Sequence, residues 1–279
     1  MKDKSYQFID GFWLKIIGYI SMIFDHFMVV LYTLNKQNNL SWFNETTYTV
    51  FRIIGRFSFI IFAFLLVEGM IHTKSPLKYL LRLFIISAVM DLGYLILFKE
   101  YIGNPITTLL MGGIMIYFVE KTPKYFKLFS LVPIAVTILV ALDIIPLKYD
   151  YDLYGICTIA CFYLGYKLSH FIAKQVITLQ GLDEETFMTS SYYLTLKHTC
   201  QCILFITYSL IIYFLNPVWN GHGIFSRMMS IQIYSIFTCI FIMFYNGKRG
   251  YNAKWFQYGS YLFFPLHIVI LYLIINFLI

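Results

Sequence analysis

The residues in this chain that are most suited to chemistry are an adjacent aspartate and histidine, Asp25 and His26, in the sequence IFDHF. They lie in the middle of a hydrophobic run from about residue 12 to residue 34, where ionisable side chains are costly and usually functional. A neutral imidazole can act as a general base near pH 7. The alternative is that Asp25 and His26 each make a structural hydrogen bond between helices.

The orientation of the pair follows from helix geometry. Neighbouring helical residues point about 100° apart, so Asp25 is not the obvious partner that orients His26. We expect Asp91, in a later hydrophobic run, to be the first candidate for that role, and Asp25 is free to pair with Arg56. This predicts a catalytic group of His26, Asp25, Arg56 and Asp91.

Two arginines, Arg52 and Arg56, stand one helical turn apart in the second hydrophobic run. They are expected either to neutralise Asp25 or Asp91, or to bind an acyl carbonyl, a carboxylate or a developing oxyanion. Both roles are compatible. His267 follows Pro265 in the last run, where it can satisfy a backbone group freed by the proline or can line the site.

A second group of polar residues lies near the opposite ends of these runs and suits an anion. Glu68 and His72 are four residues apart, as are Lys78 and Arg82, and the sequence NGKRG adds Lys248 and Arg249. Such clusters bind phosphates, and the flanking glycines let backbone approach a ligand closely. The alternative is that most of these cations only mark the cytoplasmic ends of membrane spans.

The elements that must position these residues are membrane helices. Of the 279 residues, 59% are hydrophobic and only 13% are charged, and this bias extends along the whole chain. We therefore predict an all-α, polytopic helical bundle in the cell membrane, contacted by lipid, with residues 1–279 forming a single domain and no cleaved signal peptide. The basic residues sit in short loops without a nucleic-acid motif, so no nucleic-acid partner is expected. The five cysteines are expected to be buried thiols, and no metal site is predicted.

Hydropathy predicts about nine spans. They cover roughly residues 12–34, 48–71, 78–98, 105–120, 126–145, 153–174, 195–216, 224–245 and 255–279. Lysine and arginine collect on one side of this arrangement, which predicts a cytoplasmic N-terminus. Asp25, His26, Arg52, Arg56 and Asp91 then form an outer layer, to which Asn104, Asp152 and Arg227 add polar groups. At 1.5 Å per residue, His26 lies roughly 20 Å from the cytoplasmic edge.

Several segments together resemble the TraX family, whose name-giving member acetylates the N-terminus of a conjugative pilin. They are IFDHF at 23–27, FRIIGRFSFIIFAFLLVEG at 51–69, HTKSPLKYLLRL at 72–83, NPITTLLMGG at 104–113, DYDLYGI at 150–156, YNGKRG at 245–250 and LFFPLHIVILYL at 262–273. They span most of the chain in order, although none is specific alone, and residues 175–235 show no match.

The resemblance implies a transmembrane acyltransferase that takes acetyl-CoA from the cytoplasm and uses a membrane-embedded histidine. His26 corresponds to that reactive histidine, with Asp25 beside it. The two span arginines match the family, and Glu68, His72, Lys78 and Arg82 match its inner face. The residues expected to bind acyl-CoA are Arg52, Glu68, His72, Lys78, Arg82, Lys248 and Arg249. Asn104, Asp152 and His267 are expected near the acceptor, which is an extracytoplasmic peptide N-terminus, glycan or lipid-linked group.

Three functions remain open at this point. In the acyltransferase hypothesis, the pantetheine arm, roughly 15–20 Å long, reaches from the inner cations to His26. In the alternative of a proton-coupled transporter or exporter, Asp25, Asp91 and the arginines form an ion relay, but no internal repeat typical of transporters is evident. The third hypothesis is a non-enzymatic membrane component that binds a lipid head group or a protein partner.

Overall fold

The computed structural model describes residues 6–38, 44–99, 103–148, 150–215 and 230–278, and these residues form helices and loops with one isolated β-bridge and no strand. Eleven α-helices and two 3₁₀ helices follow each other in the described part of the chain. They are α1 Gly11–Asn38, α2 Glu45–Gly55, α3 Phe57–His72, α4 Pro76–Phe98, α5 Pro105–Lys121, the 3₁₀ helix η1 Lys124–Ser130, α6 Leu131–Ala141, α7 Asp152–Gln180, α8 Glu184–Thr189, α9 Ser191–Leu215, the 3₁₀ helix η2 Ser230–Phe237, α10 Thr238–Met243 and α11 Lys254–Leu278. The predicted all-α helical bundle is therefore confirmed.

Six of these segments are long and apolar enough to cross a membrane, counted over the described residues. They are Gly11–Asn35, Glu45–His72, Pro76–Ile96, Lys124–Ala141, Asp152–Gln180 and Ser191–Leu215. The other three predicted spans coincide with α5, the η2–α10 segment and α11, which are helical but are not among the six. A polytopic membrane bundle follows, while the number nine stays a prediction. Arg227 of the predicted outer layer lies outside the described residues, and so do Lys2 and Lys4 near the N-terminus.

The second predicted span is two helices in series, because α2 ends at Gly55 and α3 begins at Phe57. Arg56 lies at this junction, where its backbone N–H donates to the carbonyl of Ile53. Helix α3 is the centre of the bundle, and its Ile60, Ile61 and Phe64 are fully buried. The α2–α3 junction therefore places arginine side chains beside α3, the helix that is packed against others on most sides.

Close packing elsewhere fixes the helices that surround α3. Helix α7 packs extensively against α9, and a side chain at Gly165 would overlap the backbone of Gln201. Small residues of this kind let membrane helices approach each other. At the end of the bundle where lysine is frequent, the N-terminal segment pairs with the NGKRG loop, since Ile9 bridges Tyr245 and the Gly11 N–H donates to the Lys248 carbonyl.

Candidate active site

Two neighbouring cavities bring the predicted polar residues together in the bundle. The smaller one, of about 180 Å³, is called the outer cavity here and is lined by both members of the Asp25–His26 pair. The larger one, of about 490 Å³, is called the inner cavity and reaches the loops at the lysine-rich end. Asp25, His26, Arg52 and Arg56 of the predicted outer layer line the outer cavity, whereas Glu68, His72, Lys78, Arg82 and Arg249 of the second polar group line the inner cavity.

Asp25 in the outer cavity is clamped by both arginines of the α2–α3 junction. Arg52 Nη1 donates to Asp25 Oδ1 at 2.7 Å, and Arg56 Nη2 donates to Oδ1 at 2.8 Å and to Oδ2 at 2.7 Å. All three residues are buried, which makes this a desolvated, hydrogen-bonded charge cluster. A side chain at Gly55 would overlap Asp25, so the glycine is what lets α1 approach α2 here. Arg52 lines the outer cavity and not the inner one. Its expected part in binding acyl-CoA stays a prediction.

His26 points the other way, towards α11, and its partner is His267. His26 Nδ1 lies 2.7 Å from His267 Nε2, and the two rings are nearly parallel. The expectation that Asp91 orients His26 is therefore wrong, because His267 occupies that position. His267, which was expected near the acceptor, is instead buried behind the reactive ring.

The hydrogen-bond network fixes which nitrogen of each histidine carries the proton. His267 Nδ1 lies 2.9 Å from the carbonyl oxygen of Phe263, which can only accept, so Nδ1 of His267 is protonated. A neutral His267 then accepts through Nε2, and His26 must donate through Nδ1. A charged His267 would place another cation in a buried position near the arginine clamp, at a high cost. His26 therefore keeps the lone pair on Nε2, which is the form that accepts a proton from a substrate.

Asp91 and Asn104 form a separate structural contact. Asn104 is fully buried and is the N-cap of α5, where its side-chain oxygen accepts from the N–H groups of Ile106 and Thr107. Its side-chain nitrogen donates to Asp91 Oδ1 at 2.7 Å. Neither residue lines the outer cavity. The helix cap explains why Asn104 is buried. The expected roles of Asn104 at the acceptor and of Asp91 in catalysis stay predictions.

Asp150 lines the outer cavity in place of Asp152. The chain enters α7 with Asp152 buried and in a left-handed conformation, at φ 38°, while the preceding Tyr151 stacks on Phe59 of α3 with ring centroids 3.8 Å apart. Asp150 is accessible at the cavity mouth. The surrounding protein nevertheless shields the Asp150 carboxyl group from bulk water, which raises the pKa of Asp150 to about 6. The positive charge of Arg56 opposes this shift. Asp152 does not line the outer cavity, and its expected contact with an acceptor stays a prediction.

Four cationic side chains line the inner cavity. Lys15 lies on α1, Lys78 and Arg82 lie on α4, and Arg249 lies in the NGKRG loop. The exposed His72 also lines this cavity. None of these four makes an ion pair with an acidic side chain among the described residues. Arg249 lines the cavity and Lys248 of the same loop does not, and the expected contact of Lys248 with acyl-CoA stays a prediction. A concave site with unpaired cations of this kind suits a polyanion.

Among the described residues, Glu68 is the one carboxylate that lines the inner cavity, and Lys197 neutralises its charge. Lys197 of α9 donates to Glu68 Oε2 at 2.9 Å, and both side chains are almost completely buried. His72 Nδ1 also lies 2.8 Å from the Glu68 carbonyl. Because Lys197 cancels the charge of Glu68, the inner cavity keeps a net positive charge.

Three residues of the site could not be singled out from the sequence, namely Lys15, Asp150 and Lys197. Lys15 and Lys197 have the same signal as any lysine near the end of a span, and positive-inside counting treats them alike. Asp150 is one of two aspartates in DYDLYGI, and only the backbone conformation decides which of them faces the cavity.

Comparison with known proteins gives a family and one remote relative. A sequence model described as TraX protein matches residues 11–275. The chain is also 23% identical over 271 residues to the probable fimbrial assembly protein FimC, serogroup H1, of Dichelobacter nodosus, which covers 94% of this chain and 93% of that protein. No solved structure matches the chain.

Proposed function

The chain belongs to the TraX family, and we propose that it is a membrane-embedded acyltransferase that moves an acetyl group from cytoplasmic acetyl-CoA to an extracytoplasmic amine or hydroxyl. One observation carries the proposal, which is the arrangement of two cavities in series. A cationic cavity reaches the lysine-rich end of the bundle, and a smaller cavity beside it contains a histidine with a defined lone pair. This is the arrangement that a donor and an acceptor on opposite sides of a membrane require.

The inner cavity suits the nucleotide end of CoA. Phosphate groups bind arginine and lysine through charge-assisted hydrogen bonds, and Lys15, Lys78, Arg82 and Arg249 offer four cations without a protein counter-ion among the described residues. Glu68 and the polar residues deeper in the wall suit the amide groups of pantetheine. A positive-inside topology puts this cavity on the cytoplasmic side, where acetyl-CoA is made.

The outer cavity suits acyl transfer. In the proposed reaction the acceptor N–H or O–H lies against His26 Nε2, which removes the proton as the acceptor attacks the thioester carbon. The carbon–sulfur bond then breaks, and the proton passes from His26 to the departing CoA thiolate. The products are the acetylated acceptor and CoA, so atoms and charges balance. The Nδ1–H of His26 remains hydrogen-bonded to His267 throughout.

The arginine clamp supports charge development in the same step. Arg52 and Arg56 line the space where the carbonyl oxygen becomes an oxyanion, and their guanidinium groups would stabilise its charge. Asp150 faces the same space, makes no hydrogen bond or ion pair within the described part of the chain, and would attract an acceptor that arrives as an ammonium ion. This favours an amine over a hydroxyl. The ammonium would give one proton to the Asp150 carboxylate or to water before the neutral amine attacks.

The acceptor that best fits the family and the relative is a pilus or fimbrial subunit. The relative is named a probable fimbrial assembly protein, and the TraX family takes its name from a pilin acetylase. We therefore propose a pilin-type N-terminal amine as the first acceptor to test. The protein would act in the cytoplasmic membrane, with a glycan or a lipid-linked amine as the next acceptor to examine.

The proposal is tested by the dependence of transfer on His26. Native membranes that contain the wild-type chain, His26→Ala or His170→Ala are given radiolabelled acetyl-CoA, and label in protein and lipid fractions is counted. His170 lies on α7, lines neither cavity and serves as the matched control. We expect label with the wild type and with His170→Ala, and none with folded His26→Ala. Equal labelling by all three would refute the role of His26, and substrate flux without CoA would favour a transporter.

A further inference from the structure

The two cavities meet at a collar of three apolar side chains, Phe62 of α3, Leu109 of α5 and Phe264 of α11. These are the residues that line both cavities. Asp25, His26, Arg52, Arg56 and Asp150 line only the outer cavity, and the cations Lys15, Lys78, Arg82 and Arg249 line only the inner one. On this arrangement, a donor held by the inner cations passes its acyl end between the three shared side chains to reach His26.

Packing holds the collar in place from behind. The rings of Phe62 and Phe264 meet edge to face, with centroids 5.6 Å apart. Tyr19 lies 5.3 Å from Phe62 on the α1 side, where a side chain at Gly18 would press against the Phe62 ring. Leu109 is buried and closes the third side. Interiors packed in this way resist a change of shape, so the width of the collar is a property of these side chains.

The space beyond the collar is hostile to a long acyl chain. It measures about 180 Å³ and must also hold the acceptor. Its walls carry Asp25, Arg52, Arg56 and Asp150, and apolar methylenes against such groups would displace water without replacing its hydrogen bonds. A two-carbon acyl group needs little of this space, whereas each further methylene has to find apolar wall.

Phe264 is a part of the collar that lies beside the histidine pair. Its ring centroid lies 6.3 Å from that of His267, the partner of His26. Truncation of this ring would open apolar space beside the histidine pair while leaving the inner cations and the arginine clamp unchanged. Such space is what additional methylenes of a donor require.

We propose that the collar of Phe62, Leu109 and Phe264 determines acyl-chain length and restricts the donor to short acyl-CoA thioesters, with Phe264 as the main determinant. This inference rests on the proposed acyl-CoA function and deepens it. The expected size of the effect follows from hydrophobic pockets in general, in which one methylene changes discrimination about 10- to 200-fold.

The experiment measures binding of acetyl-CoA and hexanoyl-CoA to the full chain in lipid nanodiscs by calorimetry. The wild type is expected to bind acetyl-CoA at least about tenfold more tightly than hexanoyl-CoA, and Phe264→Ala should reduce this ratio by about tenfold or more. Phe57→Ala is the matched control. Phe57 lies on α3, as the collar residue Phe62 does, but it packs against Phe241 and lines neither cavity. It should leave the ratio as in the wild type.

The outcomes separate this inference from the function beneath it. If the wild type binds acetyl-CoA and the ratio is the same in wild type, Phe264→Ala and Phe57→Ala, the collar does not select chain length and the inference is overturned. If the wild type binds neither thioester, the acyl-CoA function and the inference fail together. Should Phe264→Ala not fold, Phe264→Leu and Leu109→Ala test the same wall with smaller changes and the same expected direction.

Discussion

The hydrogen bond between His26 and His267 gives the sharpest quantitative prediction. In the resting site it fixes the lone pair of His26 on Nε2, and such neutral bonds contribute about 0.5–1.5 kcal/mol. When His26 takes the acceptor proton, the bond becomes charge-assisted and is worth about 1.5–3 kcal/mol. Only the difference between the two states, about 1–1.5 kcal/mol, affects turnover, so at about 1.4 kcal/mol per factor of ten, removal of the acceptor nitrogen should slow transfer about 5- to 15-fold.

The perturbation is His267→Phe, compared with His267→Gln. Phenylalanine keeps the ring and the packing against Phe263 but cannot accept a hydrogen bond, whereas the glutamine amide oxygen can. We expect His267→Phe to lose about 5- to 15-fold in turnover, and His267→Gln to recover part of that loss. Turnover is measured as label transferred from acetyl-CoA at saturating donor, with His26→Ala as the background.

A spectroscopic measurement separates positioning from general damage to the fold. Nitrogen NMR of the protein labelled at histidine reports which ring nitrogen of His26 carries the proton. It should be Nδ1 in the wild type and in His267→Gln, and a mixture in His267→Phe. If His267→Phe keeps full turnover, or if the proton lies on Nε2 in the wild type, the assignment of His267 as the positioning residue is refuted.

Three further predictions concern the charges around the two cavities. Lys197→Met leaves Glu68 buried without its cation and should cost roughly 3–5 kcal/mol of stability, measured as a lower melting temperature. The double variant Lys197→Met with Glu68→Gln should largely restore the melting temperature. An unchanged melting temperature in Lys197→Met would contradict the stabilising role of this ion pair. Arg82→Gln should weaken CoA binding about tenfold and flatten its dependence on KCl concentration, and unchanged affinity would remove Arg82 from the donor site. The pKa of Asp150 is raised to about 6 from its ordinary value of 3.8, so the folded protein holds this proton more tightly than the unfolded chain does. Stability should therefore fall as pH rises from about 4 to 6 in the wild type relative to Asp150→Asn, and melting curves that stay parallel over this range would contradict the shift.

Much of the fold follows from the sequence because hydrophobic length is a local property. Each predicted span overlaps helical structure within the described residues, and helix geometry alone separates the directions of Asp25 and His26. The pairing of Asp25 with Arg56, one of the alternatives that the sequence leaves open, is present in the fold. The break at the α2–α3 junction has no proline to announce it, so it could not be predicted.

Contacts between distant residues are what the sequence could not provide. His26 and His267 are 241 residues apart, and several polar groups at similar depth compete for the same role. Asp91 was a reasonable candidate by depth, but the cap of α5 takes it, since Asn104 requires a partner when it is buried. The choice between Asp150 and Asp152 depends on one left-handed residue, a backbone detail that composition does not encode.

The central claim is that the donor enters from the cytoplasmic side and the acceptor is modified on the other side. It is tested most directly with sealed vesicles of native membranes in the two orientations, each given radiolabelled acetyl-CoA from outside. Inside-out vesicles, which expose the inner cavity and its Arg82 and Arg249, should label an acceptor in their lumen, and right-side-out vesicles should not. Equal labelling in both orientations of intact vesicles, or labelling of right-side-out vesicles alone, would contradict transfer across the membrane by this chain.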